Sequence, residues 1–409
     1  MGAPSARASE LARHWAQDGH HVTVLTGFPN HPTGEVPFEY QDEFRSLVTR
    51  EQIDGVNVIR TWLWPLPNRR TYERILNYSS FCLSSAVTGL FSSRPEVVIA
   101  SSPQLLVGLT GWWLAWCKRV PFVFEVRDLW PESLSAVGAG SETSLMHRSL
   151  AKIAGFLYRK ASRIVVVSPA FKDHLTKHWQ VPAEKISVIE NGVETGVFGP
   201  QNTDPDLRRE LGAEGKFVVS YIGTIGVAQG LDSLIEAAAR MQHCSPDVLF
   251  LLLGDGAEKE RIQSLAKSRG LINLRLIGQQ PREKIPAYIA ASDACVVLLR
   301  KADLFKTVIP TKMLEFMSCA RPVILGVEGQ SRKIMEEAQA GICIEPENAD
   351  HLVQAVTHLA ADPALGESLG RNGRRYIQQK FSRRHTAAAY IDVLEDLLEG
   401  KAPYPAVAA

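Results

Sequence analysis

A chain of 409 residues is too long for one ordinary hydrophobic core, so two domains are expected. Its 45% hydrophobic and 22% charged content are those of a globular protein, and a net charge of +1 removes any whole-chain case for nucleic acid as a partner. No apolar run reaches the roughly 18 residues that a membrane-spanning helix needs, and there is no secretory signal pattern. The six cysteines (Cys82, Cys117, Cys244, Cys295, Cys319, Cys343) are scattered with no CxxC, which predicts reduced thiols in a cytoplasmic setting and no thiolate metal site.

In chain order, Met1-Gly2-Ala3-Pro4-Ser5 runs straight into a predicted helix over 5–17. Strands follow at 21–26, 56–61, 97–102, 121–126, 163–168 and 185–190, with helices such as 105–118 and 143–160 between them. The pattern restarts with strands at 217–223, 248–254, 274–278, 294–299, 322–327 and 341–346. Such alternation predicts an α/β protein with two doubly wound parallel sheets. The seam is expected near 192–212, where Asn191-Gly192 leads into a polar stretch with Pro200 and Pro205. A last helix at 382–398 is expected to pack back across it, before a frayed tail at 401–409. The first strand of a doubly wound sheet is central, yet nothing before Pro4 can form one, so either the N-terminal sheet has a different order or, the reading favoured by the loop-like Gly2-Ala3-Pro4, that strand is missing because the start falls inside a longer protein.

The most informative stretch is 305–322, FKTVIPTKMLEFMSCARP. Pro310 suits a helix's first turn. The N–H groups of Thr311, Lys312 and Met313 would then be free donors where the helix dipole favours an anion. Lys312 adds a full charge, and Glu315 lies one turn after Thr311 on the same side. A diphosphate at that helix start would bring a ribose within reach of the Glu315 carboxylate. The competing reading is an amphipathic helix with a solvated Glu and Lys. Three strand ends add glycines: Gly223-Thr224-Ile225-Gly226 before Gln229-Gly230, Gly254-Asp255-Gly256, and Gly278-Gln279-Gln280. Glycines there would let the main chain approach a phosphate or a base edge. All of these fall on one rim of one sheet.

In the first half, Asp128 ends a strand and could bind a sugar hydroxyl or act as general base; a structural pair with Arg127 is the alternative. His31, in the loop 28–34, and Arg7, near the start of the first helix, are further candidates, with simple exposure as the alternative for each. The one DxD-like string, Asp204-Pro205-Asp206, reads as a helix N-terminus, so no metal is expected. Trp62 and Trp64 beside Arg69 and Arg70, followed by Tyr72, Arg74, Leu76 and Tyr78, suit a lipid headgroup interface. Trp112, Trp113 and Trp116 are read as core of a crossover helix.

On the strings Gly2-Ala3-Pro4-Ser5-Ala6-Arg7, Leu25 to Gly34, Val126-Arg127-Asp128-Leu129-Trp130-Pro131-Glu132, Asn191-Gly192-Val193, Ala228-Gln229-Gly230 and Pro310-Thr311-Lys312 with Glu315, the whole chain resembles the retaining glycosyltransferases of family 4. Among them it is similar to bacterial envelope-polysaccharide enzymes related to fucosamine transferases. The resemblance implies the GT-B fold, with two Rossmann-like domains facing across a cleft: residues 1–195 binding the acceptor, 196–381 binding the nucleotide sugar, and 382–409 returning to the first. It implies transfer from a UDP-sugar to a lipid-linked saccharide, with retention, in cell-envelope, O-antigen or exopolysaccharide synthesis, at the cytoplasmic face of the inner membrane and with no cofactor. The family pairs two glutamates eight positions apart. Glu315 matches the second, which implies ribose binding; the first falls at Thr307, which is not acidic. Gln229 stands where many relatives carry a lysine against the pyrophosphate, so Lys306 or Lys312 is expected to supply that charge. The expected donor contacts are Gly223, Thr224, Gln229, Gly254, Asp255, Gly256, Gln279, Lys306, Thr307, Thr311, Lys312, Leu314 and Glu315. Gly2, Arg7, His31 and Asp128 are expected at the acceptor, and Asp128, Lys312 and Glu315 in catalysis. A UDP-sugar epimerase of the same architecture, or a non-catalytic nucleotide-sugar-binding subunit, stay open as alternatives.

Overall fold

The structure, a computed structural model, describes residues 3–30, 33–67, 70–132 and 145–400. It divides into two compact units, Asn191–His385 and Pro4–Glu190, the latter joined by the chain from Thr386 onward.

The unit built on Pro4–Glu190 starts with the helix Ala3–Gln17 and then carries β1 (Thr23–Gly27), β2 (Val48–Ile53), β3 (Val56–Thr61), β4 (Val98–Ser101), β5 (Phe122–Val126), β6 (Arg163–Val166) and β7 (Ile186–Val188). Its strands form two sheets, ordered β1-β3-β2 and β4-β5-β6-β7. Among the described residues, β1 pairs only with β3 and β4 only with β5, so no strand lies between them. β2 was not expected. It pairs antiparallel with β3 across the two-residue turn Asp54-Gly55, both at positive φ (51° and 82°). Asp-Gly between β-branched runs is the standard sequence signal for that hairpin.

β5 is buried at every position, including Glu125. A buried carboxylate needs partners. Arg7, 1% exposed, supplies them from the opening helix: Nε donates to Glu125 Oε1 at 3.0 Å, Nη1 to the Glu190 carbonyl at 2.9 Å and Nη2 to that of Ile189 at 3.0 Å. Ser101 Oγ also donates to Glu125. Arg7 is therefore neither exposed nor offered to an acceptor; it ties the first helix to the ends of β5 and β7. The helix Arg383–Leu398 packs Ala387, Tyr390, Leu394 and Leu397 against Leu11, Val123, Val165 and Ile189.

Two surface expectations meet a mixed outcome. Leu63 is buried and Trp62 half-buried, while Trp64, Arg70, Tyr72, Arg74 and Leu76 are exposed, Trp64 at 51%. Trp113 and Trp116, read as core, are 37% and 55% exposed; of that trio only Trp112 packs inward, edge-on to Phe156 at 4.8 Å.

The unit Asn191–His385 holds one parallel six-stranded sheet, β8 (Phe217–Ile222), β9 (Val248–Leu253), β10 (Leu274–Ile277), β11 (Ala294–Leu298), β12 (Val323–Gly326) and β13 (Gly341–Cys343), in the order β10-β9-β8-β11-β12-β13. β9 and β11 are apolar throughout and wholly buried, as strands covered on both faces must be. The chain moves outward from β8 to β10, then back to β11 and outward the other way. The order reverses between β8 and β11, and open α/β sheets bind ligands beyond the carboxyl ends of the strands at that point.

Candidate donor site at the sheet reversal

The helix Thr311–Ser318 follows β11. Met313, Leu314, Phe316 and Met317 are fully buried beneath it, which seats the helix firmly. Leu314 is thus a core side chain. Pro310 is the N-cap rather than a first-turn residue, and its carbonyl accepts the Met313 N–H at 3.0 Å. That donor is not free for an anion.

Lys312 reaches from this helix to the end of β8. Its Nζ donates to Tyr221 Oη at 2.7 Å and stands 3.8 Å from the centre of that ring. The Tyr221 hydroxyl in turn donates to the Thr224 carbonyl at 2.6 Å. A Cβ on Gly223 would lie 3.1 Å from Nζ, so the glycine leaves room for the ammonium. Burial pushes the Lys312 ammonium down to about 7, opposed by the negative charge of Glu315. Burial also raises the Tyr221 phenol, which stays neutral. A cation held mainly by a neutral hydroxyl is an open invitation to an anion.

Glu315 is 8% exposed and stands 3.1 Å from Arg282 Nη2, whose guanidinium also lies 4.9 Å from the centre of the Phe198 ring. The picture of a solvated Glu and Lys on a surface helix does not hold. Sequence reasoning missed Tyr221 and Arg282. The first stands near the end of a mostly apolar strand, one residue before Ile222 and Gly223; the second follows the Gly278-Gln279-Gln280 strand end but carries no signal of its partner.

The glycines serve the protein's own backbone first. A Cβ on Gly254 (φ 151°) would fall 1.9 Å from the Gly223 carbonyl, and one on Gly256 (φ 154°) 2.3 Å from that of Ile225. The loops after β8 and β9 are zipped together by Gly223 N–H to Leu253 O at 2.9 Å and Ile225 N–H to Asp255 O at 2.8 Å. Asp255 is spent locally, accepting from Gly256 N–H at 2.8 Å and from Lys259 Nζ at 3.0 Å. Gln229 Oε1 folds back to accept the Gly226 N–H at 3.1 Å.

The structure therefore brings Gly223, Thr224, Gly254, Gly256, Thr311, Lys312 and Glu315 to one rim. Lys306 is exposed and paired with Asp303 at 2.7 Å and Glu328 at 3.6 Å. Thr307 Oγ1 donates to the Leu304 carbonyl at 2.7 Å, and Gln279 is exposed beyond β10. Of the two lysines considered, Lys312 is the one at the reversal. Asp204 caps its own short helix by accepting the Asp206 N–H at 2.9 Å. Among the described residues, no three His, Cys, Asp or Glu are grouped to hold a metal ion.

In the other unit, Asp128 is exposed just beyond β5. Desolvation by the surrounding protein raises its carboxyl above the ordinary value, and the positive charge of Arg127 opposes that shift. Gly2 and His31 lie outside the described residues.

This architecture, two α/β units built mainly on parallel strands, is that of the GT-B glycosyltransferases. Residues 2–192 match the family described as Glycosyl transferase 4-like domain, and residues 203–376 match Glycosyl transferases group 1. Matched in both halves, the chain belongs to the group 1 glycosyltransferases and is a hexosyltransferase. It is 25% identical to WcaI of Escherichia coli K12, named as a colanic acid biosynthesis glycosyl transferase, over 85% of this chain and 86% of that one. It is 26% identical to the alpha-D-kanosaminyltransferase of Streptomyces kanamyceticus over 78% of each. Its fold matches a sucrose-phosphate synthase from Thermosynechococcus elongatus with a TM-score of 0.77 at 22% identity, over 98% of this chain and 94% of that one. HepE of Anabaena, solved with UDP and glucose, matches at 0.69 and 19% identity over 96% of each.

Proposed function

We propose that this glycosyltransferase moves a sugar from a UDP-sugar to a hydroxyl of a lipid-linked saccharide, with net retention, in bacterial envelope or exopolysaccharide synthesis. The observation that carries the donor half is Lys312, held by Tyr221 at the sheet reversal one turn before the Arg282-paired Glu315. The diphosphate sits over Gly223 against the Lys312 ammonium and the Thr311 helix start. The ribose hydroxyls bond to Glu315, which Arg282 keeps oriented. As the anomeric carbon–oxygen bond breaks, charge gathers on the departing diphosphate, and Lys312 stabilises it without a metal. Asp128 accepts the hydroxyl of the incoming saccharide. The acceptor's lipid places the enzyme peripherally at the inner membrane's cytoplasmic surface. A relative named for colanic acid biosynthesis and a fold neighbour solved with UDP support the reading; neither fixes the sugar.

A panel of nucleotide sugars read by calorimetry, followed by nucleotide release, tests it. UDP-sugars should bind in preference to GDP- and ADP-sugars, and Glu315→Ala should abolish both binding and release. Donor binding with no release of UDP on any acceptor extract would favour the non-catalytic alternative.

A further inference from the structure

The helix Thr71–Leu90 is built inside out. Its inward residues are small and polar: Asn77 donates to the Trp64 carbonyl at 2.9 Å, Ser80 Oγ accepts the Trp64 N–H at 2.8 Å, and Ser84 Oγ meets Thr61 Oγ1 at 3.0 Å. Its large apolar residues face out instead. Tyr72, Leu76, Leu83, Val87 and Phe91 are 53, 41, 70, 59 and 78% exposed, and their spacing of 4, 7, 4 and 4 keeps them on one side. The neighbouring helix Leu105–Lys118 packs closely alongside, with Leu114 so near that a Cβ on Gly89 would fall 2.5 Å from it. It adds exposed Trp113 and Trp116, their rings 5.4 Å apart. Of the nineteen large apolar side chains exposed among the described residues, ten lie within residues 64–116. An apolar patch of that concentration marks a surface meant to be covered.

Charge says by what. Residues 62–120 hold six Lys and Arg against two Glu, a net of +4 where the whole chain carries +1. Glu73 is occupied in capping its own helix, accepting the Arg70 N–H at 3.0 Å. Arg70 and Arg74 are exposed at the start of the stripe and Arg94 and Arg119 at its end, where Arg94 donates to the Arg119 carbonyl at 3.1 Å. A second copy of the chain would bring like charges face to face; a surface of anionic headgroups over an apolar layer complements both features.

We propose that the outward face of the helix Thr71–Leu90, continued by Trp113 and Trp116, seats this enzyme on an anionic lipid bilayer. It deepens the peripheral contact proposed above, keeping Trp64, Tyr72, Arg74 and Leu76 of the expected interface and extending it along these two helices. The full chain is co-sedimented, without donor or acceptor, with vesicles of phosphatidylcholine alone or with about 30% phosphatidylglycerol. The parent should bind the anionic vesicles about tenfold or more tightly, more weakly at high salt, and with a blue shift of tryptophan emission. Leu83→Glu/Val87→Glu, at exposed positions that leave the core untouched, should lose about tenfold in vesicle binding while UDP binding by calorimetry stays unchanged. Trp113→Ser/Trp116→Ser should lose both binding and the emission shift. Indifference of the parent to anionic vesicles, or unchanged binding by both double variants, overturns the proposal. So does a parent dimer that Leu83→Glu/Val87→Glu converts to monomer, which would make the face a contact between copies. Because UDP binding is read separately, the membrane proposal can fail while the transferase reading stands.

Discussion

Lys312 is the side chain on which the donor reading turns, and its environment predicts a pH signature. Burial removes the free ammonium's hydration and brings its titration down to about 7, with Glu315 pulling the other way and neutral Tyr221 as its hydrogen-bond partner. A diphosphate raises that value, so binding takes up a proton wherever the free lysine has lost one. Below pH 7 the lysine is charged before and after binding, and UDP affinity should be flat as far as this group is concerned. Above it, Kd should rise about tenfold per pH unit until the bound lysine titrates. Calorimetry from roughly pH 6 to 9 in buffers of different ionisation enthalpy reads both the slope and the proton. Lys312→Gln should flatten the slope and weaken UDP by about 10- to 100-fold, since charge-assisted bonds contribute about 1.5–3 kcal/mol. Lys306→Gln should change affinity by less than about threefold, because that exposed lysine already has Asp303 and Glu328. Equal losses in the two variants would mean that both lysines meet the diphosphate. Arg282→Ala should raise the UDP Kd too, by removing the cation that orients Glu315.

Among elements, the zipped loops after β8 and β9 make a backbone prediction. Gly254→Ala needs a Cβ 1.9 Å from the Gly223 carbonyl at a φ that L-residues avoid, so the loops must part. Loss of about 2 kcal/mol or more in urea denaturation is expected, together with loss of UDP affinity, because Gly223 forms the floor under Lys312. Gly278→Ala, at a glycine whose Cβ would meet nothing within 4 Å, should cost far less. The final helix gives a second test. Tyr390 is 1% exposed, and its ring stands edge-on to Trp15 at 5.2 Å while Trp15 Nε1 donates to the Ala387 carbonyl at 3.0 Å. Tyr390→Ala should destabilise by about 3–5 kcal/mol, as large-to-small aromatic changes in cores do. Hydrogen exchange should locate that loss in β5 and β6, which share its cluster through Val123 and Val165, rather than in β8 or β9.

At the scale of the molecule, two units with separate cores should respond separately to ligand. UDP at about 100 times its Kd should add about 2.7 kcal/mol to the unit Asn191–His385 alone, seen in calorimetry as an upward shift of one transition. A uniform shift of both would mean the units unfold as one. EDTA should leave the transfer rate unchanged if lysine and helix start meet the diphosphate charge without a metal.

Much of this was legible in the sequence because it depends on local order. Twelve strands were placed from runs of β-branched residues, and ends differ by only a few positions, since a parallel strand must be apolar along its length. β2 escaped because Val48–Ile53 is an edge strand with Arg50, Glu51 and Gln52 in it, and its register comes from Asp54-Gly55 rather than from hydrophobicity. The helix start with Lys312 and Glu315 was legible from spacing, because i and i+4 share a face wherever the helix lies. What each side chain meets was decided only by the tertiary structure. Arg7 could be exposed or buried until Glu125 and the ends of β7 were set beside it. Lys306 and Lys312 looked equivalent until one found acids and the other a tyrosine hydroxyl. Trp113 and Trp116 read as core because composition alone carries no sign for which face of a helix turns to solvent. Strand and helix follow from neighbours along the chain, whereas burial and pairing follow from contacts that only folding brings within a few ångströms.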